Sequence, residues 1–156
     1  MSDNLQSIDF YQLTGGSVAE LAAQLAEKCL SVGKKLIIYC EKGQSSDVSR
    51  ALWTSQDQNF IAHAIDNADG AEFADIWIST DLDANQISAE FAMCLSGLET
   101  PNMTSFERQF ILFDGGDENA LSVARQQWKD YAQTYQGKCR YFARTNEGRW
   151  EQKAKG

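Results

Sequence analysis

Ser17–Cys40 reads SVAELAAQLAEKCLSVGKKLIIYC, and the fold class turns on it. Ser17 followed three residues later by Glu20 forms a capping box, in which a short hydroxyl side chain satisfies backbone N–H groups at a helix start. Val18, Leu21, Ala22, Leu25, Ala26, Cys29 and Leu30 then recur at steps of three and four, the spacing of one helical stripe. Gly33 ends that helix, because glycine accepts the left-handed conformation of a C-terminal cap. The run KKLIIYC, Lys34–Cys40, does not alternate polar with apolar, as expected of a strand buried on both faces of a parallel sheet. Upstream, Ile8–Leu13 alternates and carries Phe10 and Tyr11, so it reads as a first strand broken by Gly15–Gly16. Strand, helix and strand in this order form a βαβ unit, for which a right-handed crossover is expected.

The rest of the chain continues the alternation. Asp47–Thr54 reads as a short helix with Val48, Ala51 and Leu52 turned inward, Asn59–Ile65 as a brief apolar segment, and DIWIST, Asp75–Thr80, as a strand. From Ala84 to Leu98, Ile87, Phe91, Cys94, Leu95 and Leu98 lie at helical spacing, which predicts a helix stopped by Pro101, the only proline. ERQFILF, Glu107–Phe113, is the next strand. After DGGDE, Leu121–Gln136 reads as an amphipathic helix with acidic residues at its positive end. Lys138–Ala143 and Gly148–Glu151 flank a TNEG turn and predict a terminal hairpin, with residues 151–156 a frayed tail. Residues 1–156 thus predict one Rossmann-like α/β domain, a mostly parallel central sheet with helices on both faces.

Composition narrows the function. A length of 156 residues can bury a real core, and 43% hydrophobic with 23% charged residues is ordinary for a globular domain. The net charge of −8 argues against broad electrostatic attachment to nucleic acid, so no direct nucleic-acid partner is expected. Cys29, Cys40, Cys94 and Cys139 are widely spaced and His63 is the only histidine, a poor supply for a metal site, and no cofactor is expected. No apolar run approaches the roughly 20 residues of a membrane span, and MSDNLQSIDF lacks the pattern of a signal peptide. A cytoplasmic location with reduced thiols is expected.

The helix Leu121–Gln136 carries the main candidate site. Leu121, Ala124, Trp128, Tyr131 and Tyr135 share a stripe, and Arg125 and Lys129 lie beside it, one turn apart. Neither cation has an acidic residue three or four positions away. Such a pair edged by an aromatic suits an external anion, although a Trp/Tyr stripe is also what a core face looks like. For catalysis little is offered: G-x-G-x-x-G, G-x-x-x-x-G-K-[ST] and G-x-S-x-G are absent. Asp81, Asp83, Asp114 and Asp117 follow strand patterns, where α/β enzymes place carboxylates or Mg²⁺ ligands, but acidic residues are equally normal in loops.

Taken in order, FYQLT, GKKLIIYCEKGQ, RALWT, NFIAHAI, DIWIST, FERQFILFD, ARQQWKDYAQ and GRWE resemble the chi subunit of the bacterial DNA polymerase III holoenzyme. That resemblance covers almost the whole chain. It implies a non-catalytic clamp-loader accessory protein with two partner surfaces. One captures the acidic C-terminal tail of the single-stranded DNA-binding protein, which ends in an aromatic residue with a free carboxylate. By position this site falls on Arg125, Trp128 and Lys129, with Phe60 as a further wall; charge-assisted donors suit the carboxylate and an apolar slot suits the ring. The other surface binds the psi subunit, with Trp53 and Phe73 as candidates. Three features depart from the family pattern: a short segment between His63 and Asp75, an added helical stretch at 84–98, and Trp128 in place of Tyr. The first two put a standard psi partner in question; a third reading has the same basic pocket serve another protein, such as a repair helicase, in place of psi. The alternative from another class is a nucleotide-binding or Mg²⁺-dependent phosphoryl-transfer enzyme using the loop aspartates.

Overall fold

The computed structural model describes residues 5–14, 17–41, 43–54, 63–65, 75–80, 89–95, 105–144 and 149–155. Among these, eight strands and three helices follow one another as β1 (Ser7–Leu13), α1 (Val18–Ser31), β2 (Leu36–Tyr39), α2 (Ser45–Thr54), β3 (His63–Ile65), β4 (Ile76–Ser79), β5 (Phe91–Leu95), β6 (Arg108–Asp114), α3 (Glu118–Thr134), β7 (Cys139–Arg144) and β8 (Trp150–Lys155). The strands form one sheet of order β3-β4-β2-β5-β6-β1-β7-β8. Every pairing is parallel except β7 with β8. β1 and β2 are therefore parallel members of the sheet without being neighbours, since β5 and β6 lie between them.

The ends of α1 form as the sequence directs. Ser17 is extended, and its hydroxyl accepts the Glu20 N–H. At the other end Gly33 takes φ +76°, the Gly33 N–H reaches the Leu30 carbonyl and the Lys34 N–H reaches the Cys29 carbonyl. This paired closure is a Schellman cap, which only a residue at ease with positive φ completes without strain. The strand after it, Leu36–Tyr39, is buried at all four positions, and each such aliphatic side chain stabilises the fold by about 1.5–3 kcal/mol relative to exposure.

Alternation along β6 shows how the helices divide the sheet. Phe110 and Leu112 join the core with Leu21, Leu25 and Cys29 of α1 and Val48 and Ala51 of α2. Ile111 and Phe113 point the other way, into a core with Phe10 and with Ala124 and Tyr131 of α3. Strand residues two apart share a face, so α1 and α2 cover one face and α3 the other. A third cluster, Ile37, Tyr39, Trp77, Ala92, Cys94 and Phe106, fills the sheet around β2, β4 and β5.

Two expectations are corrected. The helix predicted over 84–98 contains instead the strand Phe91–Leu95, buried throughout between β2 and β6; 84–88 and 96–98 lie outside the described residues. FAMCL is a continuous apolar run, and a strand covered on both faces loses the period-2 signal that separates strand from helix. The tail expected to fray from 151 is the edge strand, paired through Lys155 with Arg140. The terminal hairpin forms as expected, while its turn, 145–148, lies outside the described residues.

Candidate partner-binding site

The turn Asp114–Asp117 delivers α3 onto the sheet. The Gly115 N–H donates to the Leu13 carbonyl at 2.7 Å and the Gly116 N–H to Asp114 Oδ1 at 2.8 Å. A side chain at Gly115 would meet the Gln12 side chain at 2.7 Å, so a larger residue there would have to displace Gln12, which accepts the Tyr141 hydroxyl. Asp117 then caps α3, its Oδ1 accepting from the Asn119 and Ala120 N–H groups. The loop aspartates Asp114 and Asp117 are thus engaged in building this turn; Asp81 and Asp83 lie outside the described residues.

On α3, Ala124, Gln127 and Tyr131 are buried, while Arg125 and Lys129 are exposed. Among the described residues neither cation forms a salt bridge. The nearest carboxylate along the helix, Asp130, accepts instead from Gln126 Nε2 at 3.0 Å. Arg125 and Lys129 line an open groove of about 550 Å³ together with Glu118, Leu121, Ser122 and Gln126. The Glu118 carboxylate near the cations escaped the sequence reading because it lies two turns from Arg125.

Trp128 is half-buried and turned toward the sheet. Its ring meets Phe10 edge-on at 5.4 Å and Tyr141 edge-on at 5.6 Å. Tyr141 stacks on Phe10 at 5.9 Å and donates its hydroxyl to Gln12 Oε1 at 2.5 Å. Burial raises the Tyr141 phenol pKa, while the positive charge of Arg125 opposes the rise. The helix therefore places the two cations on the groove, while Trp128 packs among the rings of the sheet and is not one of the residues lining the groove. Phe10 and Tyr141 were not identified as part of this site from sequence, because strand aromatics show no sign of which helix they will meet.

The family profile described as DNA polymerase III chi subunit, HolC, matches residues 5–136. The chain belongs to that family. Among individually characterised proteins, none matches the sequence. As a chi-family member the chain is a DNA polymerase III accessory subunit associated with that complex. Of the other positions singled out from the sequence, Phe60 and Phe73 lie outside the described residues. Trp53 belongs to α2, of which the side chain at 53 is not described. That helix packs against β3 and β4 at the far end of the sheet from β6 and β7, where α3 lies. No helix among the described residues is long and apolar enough to cross a membrane.

A second charged cluster escaped the sequence reading altogether. Asp9 on β1 is fully buried, and Arg140 on β7 holds it through two bonds, Nε to Oδ1 at 2.7 Å and Nη2 to Oδ2 at 2.8 Å. Arg108 on β6 adds Nη2 to Oδ2 at 2.6 Å. A lone Asp inside the apolar strand IDFYQL was its only trace in the sequence.

Proposed function

We propose that this chi-family subunit captures the acidic C-terminal tail of the single-stranded DNA-binding protein on α3, and so bridges that protein to the clamp loader without catalysing a reaction. The observation that carries this is the pair Arg125 and Lys129, exposed one turn apart over an open groove with no carboxylate bridging them. Two like charges at this spacing repel by a few tenths of a kcal/mol in an isolated helix, a cost that a carboxylate from outside reverses. A terminal carboxylate would accept charge-assisted hydrogen bonds from both side chains, with its aromatic ring against the Trp128 side of the helix. Acidic residues upstream in the tail add attraction that salt weakens. The second partner in this reading is psi, with Trp53 on α2 and Phe73 as its candidate residues; in a further reading the same basic pocket serves another protein, such as a repair helicase, in place of psi. A cytoplasmic location follows from this role.

Fluorescence anisotropy with a labelled acidic peptide ending in Pro-Phe and a free carboxylate tests the reading. Micromolar binding that weakens with salt and is lost in Lys129→Glu is expected. Binding that persists in the variant moves the site elsewhere, and absence of binding at low salt removes the function. Thermal stabilisation by nucleotide with Mg²⁺ would instead favour the enzyme alternative, since a ligand at 100 times its dissociation constant adds about 2.7 kcal/mol.

A further inference from the structure

On the face of the sheet opposite α3, the strands beyond α1 carry rings and guanidinium groups that the described helices leave partly open. Tyr11, Phe142 and Trp150 are half-buried, as are Arg108, Arg140 and Arg144. Tyr11 stacks on Phe142 at 5.1 Å and meets Trp150 edge-on at 5.2 Å. Arg108 lies over the Phe110 ring at 4.8 Å, Arg140 over Phe142 at 5.5 Å and Arg144 over Trp150 at 5.1 Å. Asp9 neutralises one of these charges, so the patch stays positive in a chain of net charge −8. Arg144 Nε is buried with no hydrogen-bond partner among the described residues, an unmet donor on the same face. Through Tyr11 and Arg108 the patch continues into a cavity of about 220 Å³ under α1, with Lys28 among its lining residues and the exposed Val32 at its edge.

We infer that this face of β1, β6, β7 and β8 docks an extended acidic segment of a partner protein, in which carboxylates alternate with apolar side chains. The carboxylates would meet Arg144, whose guanidinium has one face against Trp150 and no internal carboxylate among the described residues, and Lys28 at the cavity. Arg140 gives its Nε and Nη2 to Asp9, and Arg108 its Nε to Ser7 and its Nη2 to Asp9, so these two add only their remaining charge. An apolar side chain between them would enter the cavity beside Val32. A single nucleic-acid strand fits less well. Base stacking needs free ring faces, whereas Phe142 lies between Tyr11 and Arg140, and the Phe110 and Trp150 rings carry Arg108 and Arg144. The acidic chain as a whole also opposes phosphate.

The test is a titration of the ¹⁵N-labelled full chain with a short amidated peptide alternating Asp or Glu with Leu or Phe, followed by backbone chemical shifts. Shifts confined to β1, β7, β8 and the C-terminal turn of α1 are expected, weakening with salt. Affinity should fall about tenfold in Arg144→Glu and also in Lys28→Glu, an exposed position whose substitution leaves the fold intact. Lys129→Glu should leave it unchanged, which separates this surface from the α3 groove. Shifts on α3 that vanish in Lys129→Glu, no shifts at saturating peptide, or tighter binding of oligothymidylate to the same strands would each overturn the proposal.

Discussion

On α3, Arg125 and Lys129 stand exposed one turn apart with no carboxylate bridging them, whereas on the sheet Arg108 and Arg140 converge on the buried carboxylate of Asp9. Residues of one charge type therefore have different work. The sheet arginines are held by an internal counter-ion whose removal would leave charge stranded, so their first role is to tie β1 to both neighbours. The helix cations have no such partner and contribute little to folding, which leaves their charge available to a ligand. Whether a cation serves stability or binding is decided here by where its counter-charge lies, inside the chain or outside it.

The strongest way to break this comparison is to remove the internal counter-ion. Asp9→Asn should destabilise the protein by about 3 kcal/mol, the low end of the range for breaking a buried pair because both arginines reach solvent. Urea unfolding would show it, and a loss under 1 kcal/mol would mean that the network is not structural. Next in size, Trp128→Ala removes the contacts with Phe10 and Tyr141 and should cost about 2–3 kcal/mol, less than a fully buried Trp. It should also weaken tail binding, joining the two roles in one residue. Lys129→Glu should do the reverse of Asp9→Asn. Stability should change by less than about 0.5 kcal/mol while tail affinity falls by more than tenfold, about 1.4 kcal/mol, read from the same unfolding curve and an anisotropy titration.

The last effect is confined to alkaline pH and concerns the thiols. Burial raises Cys29 to about 12 and Cys139 to about 11 from an ordinary 9.0. Above pH 9 the unfolded chain loses these protons before the folded one does, so the folded state binds more protons and stability falls as pH rises. The slope should reach about 1.4 kcal/mol per pH unit for each thiol in that window. Urea midpoints between pH 8 and pH 11 would measure it, and Cys139→Ala should flatten the curve.

Local chemistry was readable wherever a few neighbouring residues decide the outcome. The Ser17 cap, the stripe of α1, the Gly33 turn, the LIIY strand and the spacing of Arg125 with Lys129 all depend on contacts within one or two turns, and the amino-acid order alone determined them. Tertiary structure decided what depends on distant partners. FAMCL became a strand because β2 and β6 were there to pair with it, while its own spacing fitted a helix equally well. The tail from 151 became ordered because β7 offered an edge. Phe10 and Tyr141 came under Trp128, and Asp9 came between Arg108 and Arg140, because β6, β1 and β7 are neighbours in an order that crosses almost the whole chain. Periodicity records which face of an element is apolar, but it carries no information on which other element will cover that face.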